Sequence, residues 1–214
     1  MLAFGGAALS AEGGGYGFGK IESSEELVEA ALDSGITVFD TAPIYGFGQS
    51  ERVLGQLLYK HREKVQIVSK AGVTWHPNKR VNMSNEPKVV QSMLEQTLRD
   101  INSDYVDVYM IHWPDEKVDI RYSVEVLAKA QVQGKIKQIG LCNSNLEELS
   151  LAEEVAQIDF LQSECNLFNN QIEIFKEKNI KTMGWGVFDK GILAGSVSLD
   201  RSFDLVERRF CPFS

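Results

Sequence analysis

From residue 23 onward, short runs rich in β-branched residues alternate with longer amphipathic stretches, and this alternation restricts the chain to folds built from repeated βα units around a parallel sheet. Strands are expected at residues 37–42, 65–71, 106–111, 136–141, 159–164 and 181–187, with a weaker one at 2–4. Helices are expected at 23–34, 50–59, 86–101, 120–133, 145–155 and 171–178. Ser23 or Ser24 can accept from the free amides of the first of these helices, and Glu25 and Glu26 favour its positive end. Gly35 stops that helix, and Gly134 closes the fourth, with Lys129 near its C-terminus. Leu27, Ala30, Ala31 and Ser34 are expected to form one packing face, and Val53, Leu54, Leu57 and Leu58 another.

Repetition without a topological break favours a (β/α)8 TIM-type barrel over a doubly wound sheet. A full barrel takes ~250 residues, whereas 214 residues supply about seven strands and no eighth. The expected architecture is therefore one barrel domain over residues 1–214, incomplete at its C-terminus and lacking the last βα unit. Open strand edges are costly unless another segment or chain covers them, so a monomer and a homo-oligomer both stay open.

Composition narrows the partners. Acidic residues outnumber Lys and Arg by 30 to 22, and a net charge of -8 disfavours nucleic acid and anionic membranes. The three cysteines, Cys142, Cys165 and Cys211, form no Cys-x-x-Cys clamp for a metal and no disulfide framework. The apolar opening segment has no Lys or Arg before Lys20, unlike an export signal, and no apolar run approaches the ~18 residues needed to span a bilayer. A cytoplasmic protein is expected.

In β/α barrels the chemistry sits at the C-terminal ends of the strands. Asp40 ends the second expected strand, Tyr45 follows in its loop, Lys70 ends the third strand, and His112 ends the fourth. Parallel neighbours run ~4.8 Å apart, so these ends can converge. A phenol of pKa near 10 donates poorly at neutral pH; an ammonium beside it stabilises phenolate, and a carboxylate keeps the ammonium charged and aimed. Tyr45, Lys70 and Asp40 supply those parts for protonating a carbonyl oxygen as hydride reaches its carbon. His112 can orient the carbonyl or relay a proton in the reverse direction. Trp75 and Trp113, each just past a strand end, are expected to wall a substrate pocket.

Phe39-Asp40-Thr41-Ala42-Pro43-Ile44-Tyr45-Gly46, continued by Gly48-Gln49-Ser50-Glu51-Arg52-Val53-Leu54-Gly55, resembles the signature of the aldo-keto reductase family. Lys70-Ala71-Gly72, the run from Asp107 to Pro114 and the segment from Gly134 to Asn143 extend that resemblance. It implies a tetrad of Asp40, Tyr45, Lys70 and His112, with Asn143 and Gln162 holding the carboxamide of a nicotinamide cofactor. It implies NADP(H), without excluding NAD(H), and reduction of an aldehyde or ketone to an alcohol. Cys142 stands where many relatives have serine, and Cys165 stands where the family usually has a tyrosine stacked on the nicotinamide. Gly186, Phe188, Lys190 and Gly191 lie in a segment resembling the loop over the cofactor's pyrophosphate, while the basic residues that grip a 2′-phosphate follow an eighth strand. The glycine cluster from Gly13 to Gly19 contains no Gly-x-Gly-x-x-Gly and is expected to be a loop after the first strand. The alternative is a truncated or non-catalytic relative that binds a cofactor or partner without turnover.

Overall fold

β-branched and apolar residues spaced two apart form seven strands that pair in the order in which the chain presents them. The structure, a computed structural model, describes residues 2–10, 23–189 and 192–195. The strands are β1 (Ala3–Gly5), β2 (Val38–Asp40), β3 (Gln66–Ala71), β6 (Val106–Ile111), β7 (Ile136–Cys142), β8 (Phe160–Glu164) and β9 (Lys181–Trp185). Between β3 and β6 lie β4 (Val73–Trp75) and β5 (Val81–Met83), a separate antiparallel hairpin. The large sheet runs β1-β2-β3-β6-β7-β8-β9, and every pairing in it is parallel. It curls into an incomplete (β/α)8 barrel, with β1 and β9 at its edges among the described residues.

Helices α1 (Ser24–Asp33), α2 (Gln49–Leu58), α3 (Pro87–Asp100), α4 (Ile120–Val132) and α5 (Leu146–Glu153) cover the outer face. Ser23 caps α1 by accepting from the amide of Glu26, and Asn145 and Glu148 close a reciprocal capping box on α5. Gly134 takes φ +74 just beyond α4, a left-handed conformation that favours glycine at a helix end.

Strand alternation divides the side chains between two layers. Phe39, Ile67, Tyr109, Ile111, Ile139, Leu141 and Leu161 pack outward against Leu54, Leu58, Val90, Leu94, Val124, Leu127 and Leu149. Val38, Val68, Val108, Met110 and Cys142 point the other way and, with Phe160 and Met183, form a smaller cluster inside the barrel. Residues of the second parity, Asp40, Lys70 and Gln162 among them, are therefore delivered to the interior at its C-terminal end.

Three expectations are corrected. Residues 171–178 do not form an α-helix: a 3-10 helix covers Gln171–Phe175 and buries only Phe175, too little apolar surface to hold a longer helix. On α1 the buried positions are Val28 and Ala31, and Leu27 is 43% exposed, so the packing face is rotated by one residue from the expected one. The strand expected at 37–42 is regular only over Val38–Asp40, because Thr41 and Ala42 turn into the loop that carries Tyr45. The expected face of α2 holds, with Leu54 and Leu58 fully buried. The loop expected around Gly13 to Gly19 lies outside the described residues.

Candidate active site

The register of the parallel sheet brings the expected group together. Asp40 is opposite Val68 on β3, Lys70 is opposite Met110 on β6, and His112 follows β6 with its amide donating to Ala71 O at 2.8 Å. Tyr45 is carried by a tight turn in which its own amide donates to Ala42 O (3.0 Å) and the Ser50 amide donates to Tyr45 O (3.2 Å). Gly46 follows at φ +63, and a side chain there would run into Ser10, so only glycine fits the close approach. The tyrosine ring meets His112 edge-on, with centroids 6.0 Å apart at 87°, and Lys70 Nζ lies 5.5 Å from the Tyr45 ring centre.

Lys70 is 1% exposed. Its ammonium donates to Asp40 Oδ1 at 2.7 Å and to Thr41 O at 2.8 Å. Burial alone opposes its charge, but the Asp40 carboxylate, then Tyr45 and Cys142, more than offset that, and the amine is held above its ordinary range. His112 is shifted the other way: burial first, and the Lys70 charge second, hold its imidazole neutral far below the usual histidine range. The site therefore contains a permanent cation beside a phenol, together with a neutral imidazole. That arrangement can ease release of the phenolic proton, while the imidazole can direct a carbonyl oxygen but carries no spare proton at neutral pH.

The residues expected to hold the carboxamide converge on one wall. Cys142 and Gln162 are register partners, and the thiol donates to Gln162 Oε1 at 3.2 Å. Gln162 Nε2 donates to Asp40 Oδ1 at 2.9 Å, so this amide also braces the carboxylate that holds Lys70. Asn143, at φ +56, donates through Nδ2 to His112 O at 3.0 Å. Burial pushes the Cys142 thiol up to about 12, so it is a neutral, weak hydrogen-bonding group.

Cys165 is half-buried, with Sγ 3.5 Å from Asn170 Oδ1. Gly186 (φ +68) accepts from Asn166 Nδ2 at 3.3 Å, and Phe188 is 61% exposed. Lys190 and Gly191 lie outside the described residues.

A strand-end aromatic escapes the sequence reading. Trp185, the last of β9, donates its indole N–H to Asn143 Oδ1 at 3.1 Å and keeps 37% of its surface exposed. A strand-terminal aromatic in the run 181–187 was the available signal. Trp75 and Trp113 pack with Tyr45 and Phe47 around Ala42, Ile44 and Val73. Trp75 also lines a cavity of about 500 Å³, and Trp113 and Asn143 line a second of about 440 Å³.

A profile of the aldo/keto reductase family matches residues 1–210. The chain is similar to the aldo-keto reductase YhdN of Bacillus subtilis, with 34% identity over 190 residues that cover 86% of this chain and 57% of that protein. Among solved structures, a glycerol dehydrogenase from Gluconobacter oxydans has a TM-score of 0.85 at 29% identity, covering 97% of this chain and 65% of the other. An aldo-keto reductase from Klebsiella pneumoniae in complex with NADPH has a TM-score of 0.67 at 25% identity, covering 78% and 58% respectively. The chain thus spans little more than half the length of YhdN.

Proposed function

The chain belongs to the aldo/keto reductase family, and from that premise we propose that it reduces an aldehyde or ketone to an alcohol with NADP(H), in one barrel domain, with Tyr45 as the general acid. Either NADP(H) or NAD(H) fits this reading. The observation that carries the reading is Lys70, fully buried yet charged against Asp40 at 2.7 Å and facing the Tyr45 ring. Burying an ammonium costs several kcal/mol unless it is paired, and a fold keeps such a group where its charge is used.

A nicotinamide would lie against the wall beside the tetrad. Asn143 and Gln162 would hold its carboxamide, Cys142 would lend a weak hydrogen bond, and Trp185 would offer the flat surface that Cys165 cannot. Gly186 and Phe188, with Lys190 and Gly191, would follow the pyrophosphate. When bound, the cofactor supplies hydride to the carbonyl carbon. His112, held neutral, has no extra proton to give the substrate and instead aligns its carbonyl oxygen with the Tyr45 hydroxyl. Tyr45 gives its proton to that oxygen, and the Lys70 charge stabilises the phenolate left behind. Trp75 and Trp113 would flank the substrate and exclude water. The setting is a cytoplasmic one, with a small carbonyl compound as partner.

The direct test is oxidation of NADPH, followed by absorbance, across a panel of aldehydes and ketones. Turnover with any of them supports the reading. The edge strand β9, with Trp185 at its end and Val187 and Phe188 beyond it open to solvent, favours a second reading, a cofactor-binding member without turnover. Fluorescence titration with NADPH that saturates while no carbonyl is reduced would select it.

A further inference from the structure

The first turn of α2 lies directly behind the site. Ser50 Oγ donates to Gly6 O at 2.8 Å and sits 2.8 Å from the Thr41 hydroxyl, while Thr41 O accepts from Lys70 Nζ. The next residue, Glu51, is completely buried, although a glutamate in the first turn of a helix is ordinarily solvated. Its Oε1 accepts from Ser69 Oγ at 2.7 Å, while Oε2, with the Thr97 hydroxyl nearby, makes no well-formed hydrogen bond. Ser69 precedes Lys70 on β3, and alternation sends the two to opposite faces, Ser69 toward the helices and Lys70 into the barrel.

We infer that Glu51 is a positioning residue which fixes Lys70 against Tyr45 from behind the sheet, through Ser69. The inference rests on the reading of Tyr45 and Lys70 given above. A buried carboxyl with one oxygen unsatisfied is unfavourable wherever a neutral isostere would pack as well, so its presence at this point needs a local return. That return is a charge-assisted grip on the strand one residue from the catalytic amine, stronger than a neutral amide could provide.

The grip depends on pH. Burial raises the Glu51 carboxyl from its ordinary 4.5 to about 7; the Ser69 and Thr97 hydroxyls and Lys70 act against that rise, and Asp100 adds to it. The charged or titratable groups around it are Lys70 from β3, Asp100 from α3 and Tyr109 from β6, while Arg52 of its own helix is bonded to Asp100. Above neutrality the carboxylate holds Ser69 tightly; below it the neutral acid holds less well.

The test uses the full chain and Glu51→Gln, which keeps shape and removes the titration. The ratio of wild-type to variant kcat is expected near one at pH 6 and several-fold at pH 8, with KM for NADPH unchanged. A ratio that does not change with pH overturns the inference, since a residue that only supports the fold has no reason to follow this titration. A second arm does not need turnover: with ring-labelled tyrosine, the Tyr45 NMR signal, identified by its loss in Tyr45→Phe, is followed from pH 5 to 9. A step near neutrality that disappears in Glu51→Gln supports the inference, and a signal indifferent to the substitution overturns it. A chain that reduces no carbonyl but shows the step refutes the enzymatic reading and leaves the positioning role standing.

Discussion

Replacing Lys70 by Met separates the two jobs assigned to the ammonium. The pair it forms with Asp40 is 2.7 Å long, with the lysine 1% and the aspartate 15% exposed. At an effective dielectric of about 20, unit charges at that distance attract by roughly 6 kcal/mol before desolvation is counted. Deleting one member of such a pair typically costs ~3–5 kcal/mol, because the other is left buried and unpaired. Here Gln162 Nε2 still donates to Asp40 Oδ1, which places the expected loss at the lower end, about 3 kcal/mol. Urea unfolding followed by far-UV circular dichroism should show this as a midpoint lowered by about 1–2 M. Adding Asp40→Asn removes the orphaned charge, so the double variant should recover at least half of the lost stability while its reductase rate stays at the single-variant level. The reasoning fails if Lys70→Met unfolds with the wild type, or if the double variant is no more stable than Lys70→Met.

His112 is held neutral, so its folded-state pKa lies below the ordinary 6.5; the stability it contributes is complete above pH 6.5 and lost as pH falls below it, a slope that His112→Phe should remove from the urea midpoint. Glu51 has the opposite sign: with its carboxyl raised from 4.5 to about 7, Glu51→Gln should be more stable than wild type by about 3 kcal/mol at pH 8 and equal to it near pH 4.5, as read from thermal midpoints. Trp185→Ala removes the exposed ring and its bond to Asn143, and NADPH affinity measured by fluorescence should fall about tenfold, corresponding to ~1.4 kcal/mol. At the opposite end of the barrel, Asp107 ties Arg62 (2.7 Å) to Lys137 (3.0 Å) and accepts from the Ile67 amide; Asp107→Ala should lower stability by ~2–4 kcal/mol with the rate per folded molecule unchanged.

The alternation that was legible in the sequence located all seven strands of the large sheet, the weaker one at 2–4 included, because buried parallel strands must be apolar on both faces, and only a few elements satisfy that. It also placed Asp40, Lys70 and His112, since polar residues at the ends of such strands stand out against an apolar run. The β4–β5 hairpin was not legible: Val73–Trp75 and Val81–Met83 are three residues each and satisfy only one another. Residues 171–178 carry helical spacing, yet tertiary contact reaches Phe175 alone, and one buried side chain does not sustain an α-helix. Glu51 carries no local mark of its burial, because its partner Ser69 comes from β3, 18 positions away. Trp185 was hidden in the same way, because its partner Asn143 lies 42 positions earlier.

Tyr45 as the proton donor is tested most directly by single-turnover oxidation of pre-bound NADPH by an excess of a reducible aldehyde. Tyr45→Phe should slow the observed step by about 10²–10⁴-fold while the NADPH dissociation constant stays the same. An unchanged single-turnover rate in that variant would contradict the mechanism.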